Sequence, residues 1–192
     1  MLDAAASLFA MRGVDQTSLA DICELAGYSR GLANHHFGTK AALIERLARR
    51  TQDKFVADLE KVDGDALDVL ATVADNYLSN IQQGTEMGRA FFVMWGAAIP
   101  SDATLRSVFA ADDAQFRLGV AAVLRAGKKN NTVSADVDPD LGAVMLVGML
   151  RGVAAQYLID PGAFNMPAAR KTCQQFVRRS FAPVEKRTAA KH

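Results

Sequence analysis

Arg30 and Asn34 stand one helical turn apart, with Gly31 between them, in the stretch Tyr28 to Phe37. An arginine fork matches guanine O6 and N7 bidentately, and an asparagine amide can read adenine or hold a phosphate. The glycine keeps the backbone low, so a helix bearing this pair can sit close to a groove. Thr17, Ser18 and Ser29 offer hydroxyls at helix starts, and Lys40 stands at another start, all placed for phosphate contact. His35 is expected outward at the groove and His36 on the nucleic-acid backbone. Acid–base or metal chemistry has no comparable support. The three histidines are His35, His36 and His192, so no Glu-x-x-His pair for a di-metal bundle exists. No P-loop or dinucleotide fingerprint is present either. The sequence assigns no catalytic residue, no metal and no cofactor.

A second group lies far downstream. Phe91, Phe92, Trp95, Phe109, Phe116, Met149 and Tyr157 concentrate aromatic and soft apolar bulk. Most of any such set is ordinary core. Asp112 and Asp113, however, interrupt the apolar row between Phe109 and Phe116, and a buried carboxylate needs a partner. Arg151 is an internal partner for it. A carboxylate among aromatics also suits a cationic ligand. These nine residues form the candidate ligand site.

The elements that must position both groups are helical from end to end, with no convincing alternating strand. Leu2, Ala5, Leu8 and Phe9 mark a first amphipathic helix that ends at Gly13. Thr17 and Ser18 cap a second over Leu19, Ile22 and Ala26, and Gly27 supplies a left-handed stop. Ser29 caps a third, whose inward face carries Leu32, Ala33 and Phe37. Two short helices joined by such a turn make a helix-turn-helix, whose second helix can enter a major groove. Thr39 caps a long fourth helix with Leu43, Leu47, Phe55 and Leu59 on one row, about 33 Å if it runs to Lys61. Five more follow, punctuated by Gly64, Gly84, Pro100, the Gly127–Asn131 segment and Pro161-Gly162. The spacing predicts about nine helices.

The eighth, from Asp138-Pro139 to Asp160, is apolar all round between Leu141 and Val153. In a soluble chain that implies burial on two sides. Gly148 and Gly152 would let a partner helix approach closely. A twofold pairing through Met145, Gly148, Gly152, Ala155, Cys173, Phe176 and Val177 would cover both sides. The run from Leu141 stops at Arg151, too short for a membrane span.

Composition bounds the rest. The chain has 192 residues, half of them hydrophobic, and a net charge of +1, so any affinity for DNA must come from local charge. Between Tyr28 and Lys54 six basic residues (Arg30, Lys40, Arg46, Arg49, Arg50, Lys54) face two acidic ones (Glu45, Asp53). Cys23 and Cys173 lack staple-like spacing and read as core thiols in a reducing compartment. With no secretory leader visible, a cytoplasmic location is expected.

The segment from Leu2 to Leu47 closely resembles the DNA-binding domain of the TetR family of transcriptional repressors. Its landmarks are Ala5-Ala6, Leu8-Phe9, Gly13, Thr17-Ser18-Leu19, Asp21-Ile22, Ala26-Gly27, Ser29, Gly31, His36-Phe37, Lys40 and Leu43. More weakly, the pattern from Trp95 to Asp160-Pro161 is similar to the C-terminal domains of choline-responsive, betaine-pathway repressors. The resemblance implies an all-α chain with a helix-turn-helix domain at 1–45, a ligand-binding and dimerisation domain at 46–182, and a basic tail at 183–192. It further implies a homodimer on a palindromic double-stranded operator, released by a small-molecule effector. The alternative is a helical interaction module of the same fold that has lost specific DNA binding. Two features depart from the pattern. Asn34 stands where family members commonly have Tyr, and the short basic arm that members usually carry before the first helix is either missing or lies ahead of Met1.

Overall fold

The computed structural model describes residues 1–29, 31, 37–59, 64–100 and 103–183. The described residues form eight α-helices and no strand: α1 (Leu2–Arg12), α2 (Leu19–Ala26), α3 (Lys40–Leu59), α4 (Ala66–Gln82), α5 (Glu86–Ala97), α6 (Ala103–Lys129), α7 (Pro139–Ile159) and α8 (Met166–Phe181). The difference from the nine expected lies at the second helix of the turn motif. Of its residues Gly31 and Phe37 are described, both helical, and the rest fall outside the described residues.

Each boundary has a local cause. Ser18 accepts from the Asp21 amide while Asp21 accepts from the Ser18 amide, a reciprocal capping box at the start of α2. Gly27 ends that helix at φ 69°, a conformation that costs a side-chain-bearing residue energy. Thr39 Oγ1 accepts from the Ala42 amide and opens α3. Asp65, Thr85, Asp138 and Asn165 cap α4, α5, α7 and α8 in the same way, and Pro139 and Pro167 sit in first turns where no amide donor is needed.

The helices close around two apolar clusters. The larger joins α4, α6, α7 and α8 through Leu70, Leu78, Val120, Leu124, Leu146, Leu150, Met166 and Val177. At one corner α6 approaches the start of α4 so closely that a Cβ on Gly127 would lie 2.5 Å from Ala66 Cβ. Beyond the shared core, α8 is fastened to α4 by Arg170, which grips both oxygens of Asp75 at 2.9 and 2.7 Å. Arg178 bonds Asp68 at 2.7 Å along the same seam.

The smaller cluster contains Ala5, Phe9, Ile22, Leu43 and Leu47 from the first three helices, and with them Ala90, Phe91, Met94 and Phe109. Packing therefore does not break at residue 45. Helix α1 lies along α5, so the N-terminal helices are welded to the second half of the chain by α5 as well as through the long α3.

Helix α7 reaches 21 residues by continuing past Arg151, and by length and composition alone it is apolar enough to cross a membrane. The expectation of a run too short to span counted only the stretch ahead of the charge. One side of α7, through Ala143, Leu146, Leu150, Arg151 and Ala154, is buried in the larger cluster. Its other side leaves Leu141, Met145, Gly148, Gly152 and Ile159 exposed at helical spacing.

Candidate nucleic-acid interface and sensing cage

In the turn motif, the left-handed Gly27 directs the Tyr28 amide back to the Cys23 carbonyl at 3.0 Å, which fixes the angle at which the chain leaves α2. Asp21 is braced by Ser18 and by Arg12 at 2.8 Å. The two Ser18 hydrogen bonds, backbone first, hold its carboxyl below the usual range. Phe37 packs against the N-terminal cluster, and the Arg46 guanidinium lies 4.9 Å from its ring centroid. Gly31 is exposed, with open space where a side chain would stand. Ser18 and Ser29 are exposed as well. Arg30, Asn34, His35 and His36, expected to read bases or backbone, lie outside the described residues.

Two expected phosphate contacts are corrected. Thr17 is 1% exposed, and its hydroxyl donates to the Gly13 carbonyl at 2.7 Å. Lys40 turns its ammonium inward and donates to the carbonyls of Val14 and Thr17 at 2.7 and 3.0 Å. Both carbonyls lie in the loop between α1 and α2; that of Val14 also accepts from the Thr17 amide at 3.2 Å, and Lys40 ties the two together. The basic surface is also thinner than a count of charges suggests. Arg49 is paired with Glu45 at 2.7 Å and Arg50 with Asp3 at 2.9 Å.

The downstream group assembles around a residue of the chain itself. Arg151, 6% exposed on α7, donates through Nη2 to Asp113 at 2.8 Å and Asp112 at 3.1 Å, and through Nη1 to the Tyr77 hydroxyl at 3.4 Å. Its guanidinium carbon lies 4.4 Å from the Phe91 ring centroid, 5.6 Å from Trp95, 5.8 Å from Phe116 and 5.9 Å from Phe92. Trp95 Nε1 donates to Asp113 at 3.1 Å, and Phe109 meets Phe91 edge-on. Of the readings the sequence left open for these carboxylates, the internal partner is the one the fold shows: both bond Arg151, and the cation in the aromatic box is a residue of the chain. Its Nε is buried without a hydrogen-bond partner. Burial pushes the Asp112 carboxyl up to about 6, against the pull of Arg151. Burial also pushes the Tyr77 hydroxyl up.

Seven of the nine candidate ligand residues therefore converge. Met149 packs in the larger cluster, and Tyr157 pairs with Phe164 rather than with the cage. Tyr77, absent from the sequence-based set, belongs to it. It sits on an ordinary helical core position, so its hydroxyl gave no separate signal. No cluster of three potential metal ligands occurs among the described residues.

For the expected interface, Met145, Gly148, Gly152 and Phe176 are exposed and Ala155 is half-buried. Cys173 and Val177 are corrected. Both are buried in the larger cluster of their own chain, since on α8 they share the face turned to α4. Burial accordingly pushes the Cys173 thiol up.

Comparison with known proteins decides the family. Residues 1–47 match the family described as bacterial regulatory proteins, tetR family, and residues 66–182 match the BetI-type transcriptional repressor C-terminal family. The chain belongs to the TetR family of transcriptional regulators. It is 27% identical over 142 residues to the HTH-type transcriptional repressor KstR2 of Rhodococcus jostii, covering 73% of this chain and 70% of that one. It is 28% identical over 182 residues to the HTH-type transcriptional repressor Rv1474c of Mycobacterium tuberculosis, covering 94% and 92%. The solved structure of a SmeT–triclosan complex superposes with a TM-score of 0.80 at 22% identity, covering 96% of this chain and 90% of that one. The chain is thus a DNA-binding transcriptional regulator whose C-terminal part is of the BetI repressor type.

Proposed function

We propose that this TetR-family chain acts as a cytoplasmic homodimer on a palindromic operator and is released when a small molecule binds the α-helical body. The observation that carries the reading is the double membership of α5. Phe91, Phe92 and Trp95 on this helix wall the Arg151 cage, while Ala90, Phe91 and Met94 belong to the cluster that includes α1, α2 and α3. A ligand that displaces the cage residues shifts α5, and with it the helices that carry the turn motif. Its effect on DNA affinity equals its differential affinity for the two arrangements.

Base reading is assigned to Arg30 and Asn34 on the second motif helix, with Gly31, His35 and His36 beside them and Ser18 and Ser29 toward the phosphates. The dimer is assigned to the exposed face of α7 with Phe176 of α8. A twofold pairing would hold the two motif helices about 34–36 Å apart, the spacing of successive major grooves. Residues 1–45 form the reading domain and 46–182 the sensing and pairing domain, joined through α3 and α5.

Fluorescence anisotropy with DNA taken from beside the chain's own gene tests the reading. We expect a specific complex whose affinity falls steeply with salt and is lost in Arg30→Ala. Equal binding to unrelated duplexes, or no binding at moderate salt, would overturn it in favour of an interaction module.

A further inference from the structure

A second face of Asp112 points to a site that the cage does not explain. Between α3 and α6, which pack against each other, lies a cleft of about 700 Å³, within the ~300–1,000 Å³ typical of small-molecule sites. One wall comes from the helix that follows the turn motif, with Thr39, Ala42, Glu45 and Ala48. The other comes from the sensing body, with Val108, Ala111, Asp112 and Gln115. Five of the eleven lining residues are small and apolar, four of them alanines, and the other six are polar, Arg49 and Ser107 among them, so the cleft has room for a compact body against its apolar side.

Its charge is one-sided. Glu45 and Arg49 on the α3 wall cancel each other at 2.7 Å. Asp112 is one of two carboxylates that share a single guanidinium, since Arg151 Nη2 serves both Asp112 and Asp113. The third polar group facing that guanidinium, Tyr77, is a neutral hydroxyl. The buried triad therefore carries one uncompensated negative charge. Asp113 has a second donor in Trp95, whereas Asp112 accepts from Arg151 through Oδ2 alone among the described residues. Of the two carboxylates, Asp112 is the one that lines the cleft.

We propose that this cleft binds a small molecule carrying a protonated primary or secondary amine on a compact apolar body, with the ammonium held by Asp112 and the body against Ala42, Ala48, Val108 and Ala111. A carboxylate recognises such a group by N–H donation as well as by charge, so a quaternary nitrogen on the same body loses the hydrogen bond. A bound amine wedges α3 from α6 and competes with Arg151 for Asp112, so it acts on both links between the sensing body and the turn motif. That regulatory consequence rests on the repressor reading above; the binding does not.

Titration calorimetry of the full chain with phenethylamine, its N,N,N-trimethyl analogue and the neutral phenethyl alcohol tests the site. We expect the amine to bind at least tenfold more tightly than either analogue. Asp112→Asn should weaken it at least tenfold. Ala111→Trp, at an exposed wall position, should block it by filling the cleft, with helical circular dichroism and thermal melting as controls of folding. Equal affinities for the three probes, no binding of the amine, or full affinity in a folded Ala111→Trp chain would each overturn the proposal. Operator binding is read separately by anisotropy. An amine that binds in the cleft without changing DNA affinity supports the site and counts against release as its consequence.

Discussion

Arg151 lies with its guanidinium carbon 4.4 Å from the centroid of Phe91, and the two residues come from helices with different allegiances. Arg151 is on α7, whose far side is the exposed apolar face. Phe91 is on α5, in the cluster that contains the N-terminal helices. The contact is a direct bridge from α7 to the cluster that holds the N-terminal helices, stiffened by two carboxylates that keep the cation over the ring. A cation over an aromatic face is worth up to ~2 kcal/mol when desolvated, enough to bias a two-state equilibrium by more than tenfold.

Removing that cation strands two carboxylates. Arg151→Met keeps much of the volume but leaves Asp112 and Asp113 without a countercharge, and breaking one side of a buried pair costs about 3–5 kcal/mol. Urea unfolding at fixed protomer concentration should show a loss of that size. Adding Asp112→Asn and Asp113→Asn to the same chain should restore most of it. A loss under about 1 kcal/mol in the single variant would mean that the triad is solvated.

Asp112 also sets a pH dependence with a sign opposite to the usual carboxylate. Its ordinary value is 3.8, and burial pushes it to about 6 in the fold, with Asp113 raising it and Arg151 opposing. Between those values the folded chain holds a proton that the unfolded chain has released. Stability therefore falls as pH rises through this window and levels off above it, by about 3 kcal/mol at ~1.36 kcal/mol per pH unit. Asp75 acts elsewhere: its hydrogen bond from Arg170 lowers its value, so its stabilising contribution is lost only as pH falls below the ordinary carboxylate range. Denaturant midpoints between pH 4 and 7 should decline in the wild type and stay flatter in Asp112→Asn. A parallel decline in both would assign the effect to another group.

How much was legible in the sequence depends on whether a residue's role is set locally. Ser18, Gly27, Thr39 and Asp138 do in the fold what their neighbours dictate, because a cap is decided within one turn. The convergence of Phe91, Phe92, Trp95, Phe109, Asp112, Asp113 and Phe116 was also foreseeable, since a carboxyl pair interrupting an apolar row demands a partner. What periodicity could not supply was the identity of the cation. Arg151 was one of two options, and choosing between them needs the distance between α6 and α7. Lys40 misled for the same reason. At a helix start it reads as a phosphate donor, but the carbonyls of Val14 and Thr17 are brought beside it only by the tertiary fold. Val177 and Cys173 share a helix with exposed Phe176, and only the docking of α8 on α4 shows which face is covered.

Lys40 can be tested against the role it was first expected to play. Lys40→Met removes two hydrogen bonds to carbonyls, leaving the Val14 carbonyl with the Thr17 amide alone and the Thr17 carbonyl without its lysine, a cost of about 1–3 kcal/mol in stability. The slope of log K against log salt for operator binding should not change. A phosphate contact would make that slope shallower by about 0.9, and such a change would return Lys40 to the interface.

The proposed pairing through α7 can be separated from folding. Met145 is 62% exposed and Leu141 61%, with Gly148 and Gly152 continuing the stripe, whereas Val177 is fully buried in its own chain. A charge at Met145 costs the lone chain little, because the side chain is already in water. In a twofold pairing it meets its own copy across the axis, and two like charges in a desolvated interface cost several kcal/mol. Met145→Glu should therefore shift sedimentation from dimer to monomer and leave helical content intact. Val177→Ala should lower stability by about 1–3 kcal/mol through lost packing and leave the association state unchanged at concentrations where both chains are folded. A dimer that survives Met145→Glu but dissociates in Val177→Ala would place the pairing surface on α8 instead.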